Sequence, residues 1–136
     1  MSANTMNKSV DLSQLERHVG LSIINCCIEL FVFEDAVEPI GVILQLSNES
    51  TLVFCCSGEG KIRIRRDSTF KIQGGCRLAC LDEFAGELLK SVNAFENQLV
   101  LRTINHEICI LNDDDDLILH VDGNQFLYSS HSDSGI

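Results

Sequence analysis

The sequence predicts an α+β domain that is mainly antiparallel β-sheet, built as two pseudo-repeats, each a short helix followed by a β-meander. Three observations predict it. Apolar and polar residues alternate over several short runs, the period of a strand with one buried face. Compact turns rich in Asn, Asp, Ser and Gly separate those runs, as in hairpin-connected strands. Finally, the hexad "LERHVG" (15–20) has the shape of "LDEFAG" (81–86), and the same succession of strands and turns restarts after it at an offset of 66 residues. Each half alone is too small to close a core.

Taken in order, residues 1–10 are polar and expected to be flexible. Asp11 is an N-cap acceptor three residues before Gln14, Leu12, Leu15 and Val19 follow at helical spacing, and Gly20 stops the helix. From residue 22 to 33 the period becomes two. Ile24, Cys26, Ile28, Leu30 and Val32 share one face, and Asn25, Cys27, Glu29, Phe31 and Phe33 the other. Residues 34–39, ending in Pro39, are expected to break the strand. Strands follow at 40–46, 51–56 and 61–65, with turns at 47–50 and 57–60, and Gly74-Gly75 precedes another strand at 76–81.

In the second half, the corresponding strands are expected at 88–95, 99–103, 108–111 and 117–121. Asp122-Gly123 is a two-residue hairpin signal before a last strand near 124–128. The expected organisation is one domain over 11–128, with halves of about 11–73 and 76–128 and a disordered tail at 129–136.

At 136 residues and 45% apolar content, the chain is long enough for one core. Its formal charge of −10 disfavours nucleic acid and anionic membranes and favours a cationic partner. The charge is uneven. Residues 1–77 hold nine acids and eight bases, whereas 78–136 hold eleven acids against only Lys90 and Arg102. Seven cysteines are an odd number, and Cys26-Cys27 and Cys55-Cys56 sit inside apolar runs, so the thiols are expected to be reduced and buried. With neither an apolar signal core nor a membrane-length apolar run, a cytoplasmic protein is expected.

Recognised chemistries fit poorly. A calcium loop begun at Asp113 would need Gly at its sixth position and an acid at its twelfth, where Ile118 and Asn124 stand. Beyond the adjacent pairs, Cys76-x-x-x-Cys80 is the only closely spaced cysteine pair, without a second chelating pair at zinc-finger spacing. A reactive thiol needs a partly exposed, electropositive setting, and these cysteines lie among Val, Phe, Ile and Leu. His106 falls in a turn, His120 on a strand and His131 in the tail. Gly58 and Gly60 are not followed by Lys-Ser/Thr and a helix, as a phosphate loop requires. The basic run "KIRIRR" (61–66) lacks aromatic residues for stacking on bases, so it reads as an intramolecular partner for the acidic half. No cofactor, metal or catalytic activity is expected.

On "NDDDDL" (112–117), "VDGNQ" (121–125) and the two hexads, the chain resembles the immunity proteins that bacteria carry against their own and their neighbours' protein toxins. The resemblance implies a stoichiometric inhibitor that covers the working face of a basic toxin, a nuclease above all, whose phosphate site a carboxylate cluster would mimic. Asp113, Asp114, Asp115, Asp116 and Asp122, with Glu107 and Glu96, would then meet Lys and Arg of the toxin, while Leu117 or Phe126 gives apolar contact. The alternatives are an acidic secretion-type chaperone or a homodimeric binding module, neither of them catalytic. The plainest reading of the acids is a solvated surface that keeps strand edges soluble.

Overall fold

The computed structural model describes residues 7–9, 12–57, 60–67 and 76–126. Strands dominate. The first sheet comprises β1 (Asn7–Ser9), β2 (Ile23–Phe33), β3 (Ala36–Leu46), β4 (Thr51–Cys56), β5 (Ile62–Asp67) and β6 (Cys76–Cys80), in the order β1-β5-β4-β3-β2-β6. The second comprises β7 (Leu89–Phe95), β8 (Gln98–Thr103), β9 (Glu107–Asp113), β10 (Asp116–Val121) and β11 (Asn124–Gln125), each paired with its sequence neighbour. All pairings are antiparallel.

The antiparallel architecture agrees with the alternation in the sequence, but the helical share is minimal. Among the described residues it amounts to α1 (Leu12–Glu16) and a single 3-10 turn (Asp82–Phe84). Segments this short cannot sustain a helix by propensity; Leu15 and Phe84, both buried, fix them to the core. The short helix expected before each meander is thus a five-residue helix in the first half and a 3-10 turn in the second. Among the described residues, no helix is long and apolar enough to cross a membrane.

Inward-facing side chains of both sheets form one hydrophobic core, including Ile28, Val42 and Phe54 from the first and Leu99, Ile110 and Leu119 from the second. Full burial of each such side chain contributes roughly 1.5–3 kcal/mol.

Three local features depart from the simple pattern. A register shift between Ile23 and Asn25 leaves Ile24 without a place in the β2–β3 ladder. Ile23 therefore turns inward at 2% exposure, and Ile24, expected on one face with the now buried Cys26, Ile28 and Leu30, is 51% exposed. The expected break at 34–39 shrinks to the turn Glu34-Asp35. β3 already runs through Pro39, beside a second shift where Leu30 pairs with Pro39 and Glu29 with Gly41. Third, residues 7–9, inside the stretch expected to be flexible, form β1 by pairing with β5. Asp11, Gly58, Glu59, the Gly74-Gly75 break, residues 127–128 of the expected last strand and the tail at 129–136 lie outside the described residues.

The two sheets are joined by a short antiparallel seam centred on the Ser22–Leu88 bridge. The Gly20 N–H donates to the Leu89 carbonyl at 2.7 Å, and the Gly86 N–H to that of Ile23 at 2.7 Å. Ile23 N–H donates to Glu87 at 2.8 Å, and Leu89 N–H to Leu21 at 3.0 Å. Within each pair the two bonds are related by the 66-residue offset. Gly20 (φ +99°) and Gly86 (φ +86°) turn the chain into the seam in a conformation that side-chain-bearing residues adopt at a cost.

Candidate functional site

The β9–β10 hairpin presents the four consecutive aspartates. Ile108, Ile110, Leu117 and Leu119 face the core and fix its register, with Asp113 opposite Asp116. Asp114 and Asp115 therefore make a two-residue turn with φ of 55° and 69°, the paired left-handed geometry that suits the twist of a hairpin. Aspartate tolerates this region better than most residues.

Asn112, 1% exposed, organises the turn. Its Oδ1 accepts the Asp115 backbone N–H at 2.6 Å, and its Nδ2 donates to the Lys61 carbonyl at 2.8 Å and to Asp115 Oδ1 at 3.3 Å. Asp115 Oδ1 also accepts the Gly60 N–H at 3.3 Å. The acidic turn of the second sheet is thereby tied to the β4–β5 connection of the first. All four aspartate side chains remain exposed.

Beside the turn lies a groove of about 470 Å³ lined by Val37, Glu38, Pro39, Ile40 and Cys56 from the first sheet and Asp115, Asp116, Leu117 and Ile118 from the second. Three carboxylates thus border the groove beside the apolar side chains of Val37, Pro39, Ile40, Leu117 and Ile118. Burial first, then Cys55, Asp115 and Asp116, push the Cys56 thiol up to about 11, so it stays protonated at neutral pH and is a poor nucleophile.

The anticipated acidic residues do not form one surface. The Glu96-Asn97 turn of the β7–β8 hairpin lies at the same end as the aspartates: Asn97 Nδ2 donates to the Asn112 carbonyl at 2.9 Å, and Asn112 N–H to that of Asn97 at 2.8 Å. Glu107 and Asp122 sit at the far end of β9 and β10, about 20 Å away along the strand. Both are engaged within the chain. Glu107 Oε1 is 2.8 Å from Arg102 Nε, while Asp122 Oδ2 is 2.8 Å from His106 Nδ1 and its Oδ1 accepts the Glu107 N–H at 2.9 Å. The His106 hydrogen bond holds the Asp122 carboxyl below its ordinary range, and the Asp122 hydrogen bond raises the His106 imidazole. Neither of these ion pairs uses the basic strand β5, which was expected to neutralise the acidic half.

The apolar contacts also differ from expectation. Leu117 is a core residue at 5% exposure that reaches the groove from below the surface, and Phe126 is half-buried against the core. Exposed apolar groups near the acids are Ile40 (38%), in the groove, and Phe95 (59%), the neighbour of Glu96. Sequence reading missed Glu38 because it falls where Pro39 suggested a break, and Ile40 because it stood as the first residue of an expected strand with nothing to mark it as exposed. It also passed over Asn112, whose inward position follows from its alternation with Ile108 and Ile110.

Comparison with known proteins adds no relative: no protein-family model, no curated protein and no solved structure matches this chain.

Proposed function

We propose that the chain is an immunity-type inhibitor that binds and neutralises a basic protein toxin, a nuclease by preference, in the bacterial cytoplasm. The observation that carries this reading is the groove in which Glu38, Asp115 and Asp116 border Val37, Pro39, Ile40 and Leu117. A Lys or Arg side chain has both needs met there: its aliphatic stem lies on the apolar wall and its cation reaches the carboxylates. The volume falls in the range of built ligand sites, roughly 300–1,000 Å³. No ion pair engages Glu38, Glu96 or the aspartates at 113–116 among the described residues, so their charge is available to a partner. Glu96 and the aspartates at 113–116 steer a basic protein toward this end of the second sheet. Charge sets the rate of encounter, and tight binding draws on the groove and on Ile40 or Phe95.

The finer fold reading belongs here as well: the two halves are taken as divergent copies of one unit, a turn of helix and a four-stranded meander. Matched bonds support it. His18 N–H to Leu15 (2.9 Å) corresponds to Phe84 N–H to Leu81 (3.1 Å), and Leu21 to His18 (3.2 Å) to Glu87 to Phe84 (3.1 Å), all at the same offset.

The test is a pull-down from the native host's lysate at low and moderate salt, comparing wild type with a variant carrying Asn at positions 113, 114, 115 and 116. Retention of one basic protein by wild type and its loss from the variant, followed by inhibition of that protein's activity by wild type alone, supports the proposal. Equal retention by both baits places the interface elsewhere and sinks it.

A further inference from the structure

We propose that Cys27 and Cys80 form an oxidisable dithiol, a covalent modification site that closes to a disulfide and ties the edge strand β6 to β2. The inference is independent of the toxin-binding reading. It rests on register, distance and exposure together.

Cys27 and Cys80 are direct partners in the β2–β6 ladder, and their Sγ atoms lie 2.6 Å apart. The neighbouring pair is the hydrogen-bonded one, since the Leu81 N–H donates to the Cys26 carbonyl at 2.8 Å. Hydrogen-bonded and non-hydrogen-bonded pairs alternate along an antiparallel ladder, so Cys27 and Cys80 form a non-hydrogen-bonded pair. In such pairs the Cα atoms approach to about 4.5 Å and the side chains are closest. That spacing lies within the range of about 4.4–6.8 Å that a disulfide spans, so closure needs no rearrangement of the sheet.

The two sulfurs differ in a useful way. Cys80 is exposed, whereas Cys27 is 6% exposed, and its thiol is pushed up to about 12 by burial and then by the Cys80 hydrogen bond. Cys80 is therefore the entry point for a reagent, and Cys27, slow to ionise but held against the Cys80 sulfur so that its attack is intramolecular, is the resolving thiol. The other five cysteines are placed differently: Cys26 lies buried on the core side of β2, and Cys76 hydrogen-bonds Glu29.

The reaction is thiol–disulfide exchange with a low-molecular-weight disulfide, which serves as the oxidant. Cys80 loses its proton, and its thiolate attacks one sulfur of the reagent, breaking that S–S bond and releasing one thiol. Cys27, deprotonated in turn, attacks the Cys80 sulfur of the mixed disulfide and expels the second thiol. The two protein S–H protons end on the two released thiols, and the electron pair that reduces the reagent comes from the two cysteines. Among the described residues β6 pairs with β2 alone, so the bond fixes a strand at the sheet edge.

The probe is oxidised glutathione, applied to the folded full-length chain. Of seven thiols, two should disappear without retained glutathione, with peptide mapping linking residue 27 to residue 80. The oxidised chain should melt at a higher temperature, and a dithiol reductant should reverse the shift. Cys80→Ser, a change at an exposed site, should abolish both the link and the shift, while Cys76→Ser keeps both. A stable glutathione adduct on Cys80 with Cys27 still free, or a link between any other pair, overturns the proposal.

Discussion

Asn112 and Asp115 are locked together, with the Asp115 N–H held 2.6 Å from Asn112 Oδ1 while the other end of the same amide donates to Lys61 in the opposite sheet at 2.8 Å. Asn112→Ala takes the acceptor from the part-buried Asp115 N–H and removes one of the two donors to the Lys61 carbonyl, which still accepts the Ser57 N–H. We expect a loss of about 1–3 kcal/mol, read as a shift of the urea midpoint with unchanged slope. Asn112→Asp should be at least as harmful, because it sets a second carboxylate against Asp115 and removes the donor to Lys61.

Replacing the aspartates at 113–116 with Asn should separate binding from folding. Asn suits the left-handed positions 114 and 115, keeps the Oδ1 acceptor used by Gly60, and removes repulsion among four neighbouring carboxylates. Stability should therefore stay within about 0.5 kcal/mol of wild type. Association with a basic partner should slow and lose most of its dependence on ionic strength. A marked fall in stability would show that the charges themselves hold the turn.

The periodic parts of this architecture were legible in the chain because strand alternation is dictated by burial: β4, β7, β9 and β10 fall within a few residues of their expected spans. Asp122-Gly123 makes the expected tight turn, with Val121 opposite Asn124. What escaped were events that add or remove one residue. The extra residue at Ile24 exchanges inside for outside over part of β2, and no pattern of apolar residues distinguishes it from Ile23. The acidic set was legible as composition but not as a surface. Sequence proximity between Asp116 and Asp122 hides the length of β10, which carries them to opposite ends of the sheet.

The His106–Asp122 pair predicts a window in pH. His106 is raised by Asp122, so its contribution is fully present below the unfolded histidine value and fades as pH rises through the higher folded value. Asp122 is lowered by His106, so its contribution is present above the unfolded aspartate value and fades as pH falls through the lower folded value. Both hold between about pH 4 and pH 6.5. The difference in melting temperature between wild type and Asp122→Asn should be largest in that window and shrink above it; a flat difference would count against the pairing.

Glu29 offers the opposite sign. Burial raises its carboxyl, only partly opposed by Arg65 and the Cys76 hydrogen bond. A raised acid favours the folded state below its unfolded value, and that contribution is lost as pH climbs through the folded one. Glu29→Gln should therefore melt higher than wild type at pH 7.5 and lose this advantage near pH 4, measured by calorimetry at the two values.

Ile40 and Leu117 line the same groove at very different depths, 38% and 5% exposed. Leu117→Ala should cost about 2–5 kcal/mol by opening a cavity. Ile40→Asn should leave stability nearly unchanged yet weaken capture of a basic partner, so a matched pair of melting and binding measurements tells core from contact surface.

The seam at Gly20–Ile23 and Gly86–Leu89 bears on how the protein is made. While the first meander is leaving the ribosome, the backbone groups of Gly20, Leu21 and Ile23 that will enter the seam have no partners, because residues 86–89 have yet to be translated. The nascent chain must hold an unfinished edge through some 66 further residues before the two sheets can zip together. Synthesised as separate polypeptides, the two halves should therefore stay unfolded alone and recover structure on mixing, a split protein reassembled across the four seam hydrogen bonds, the β2–β6 ladder and one shared core.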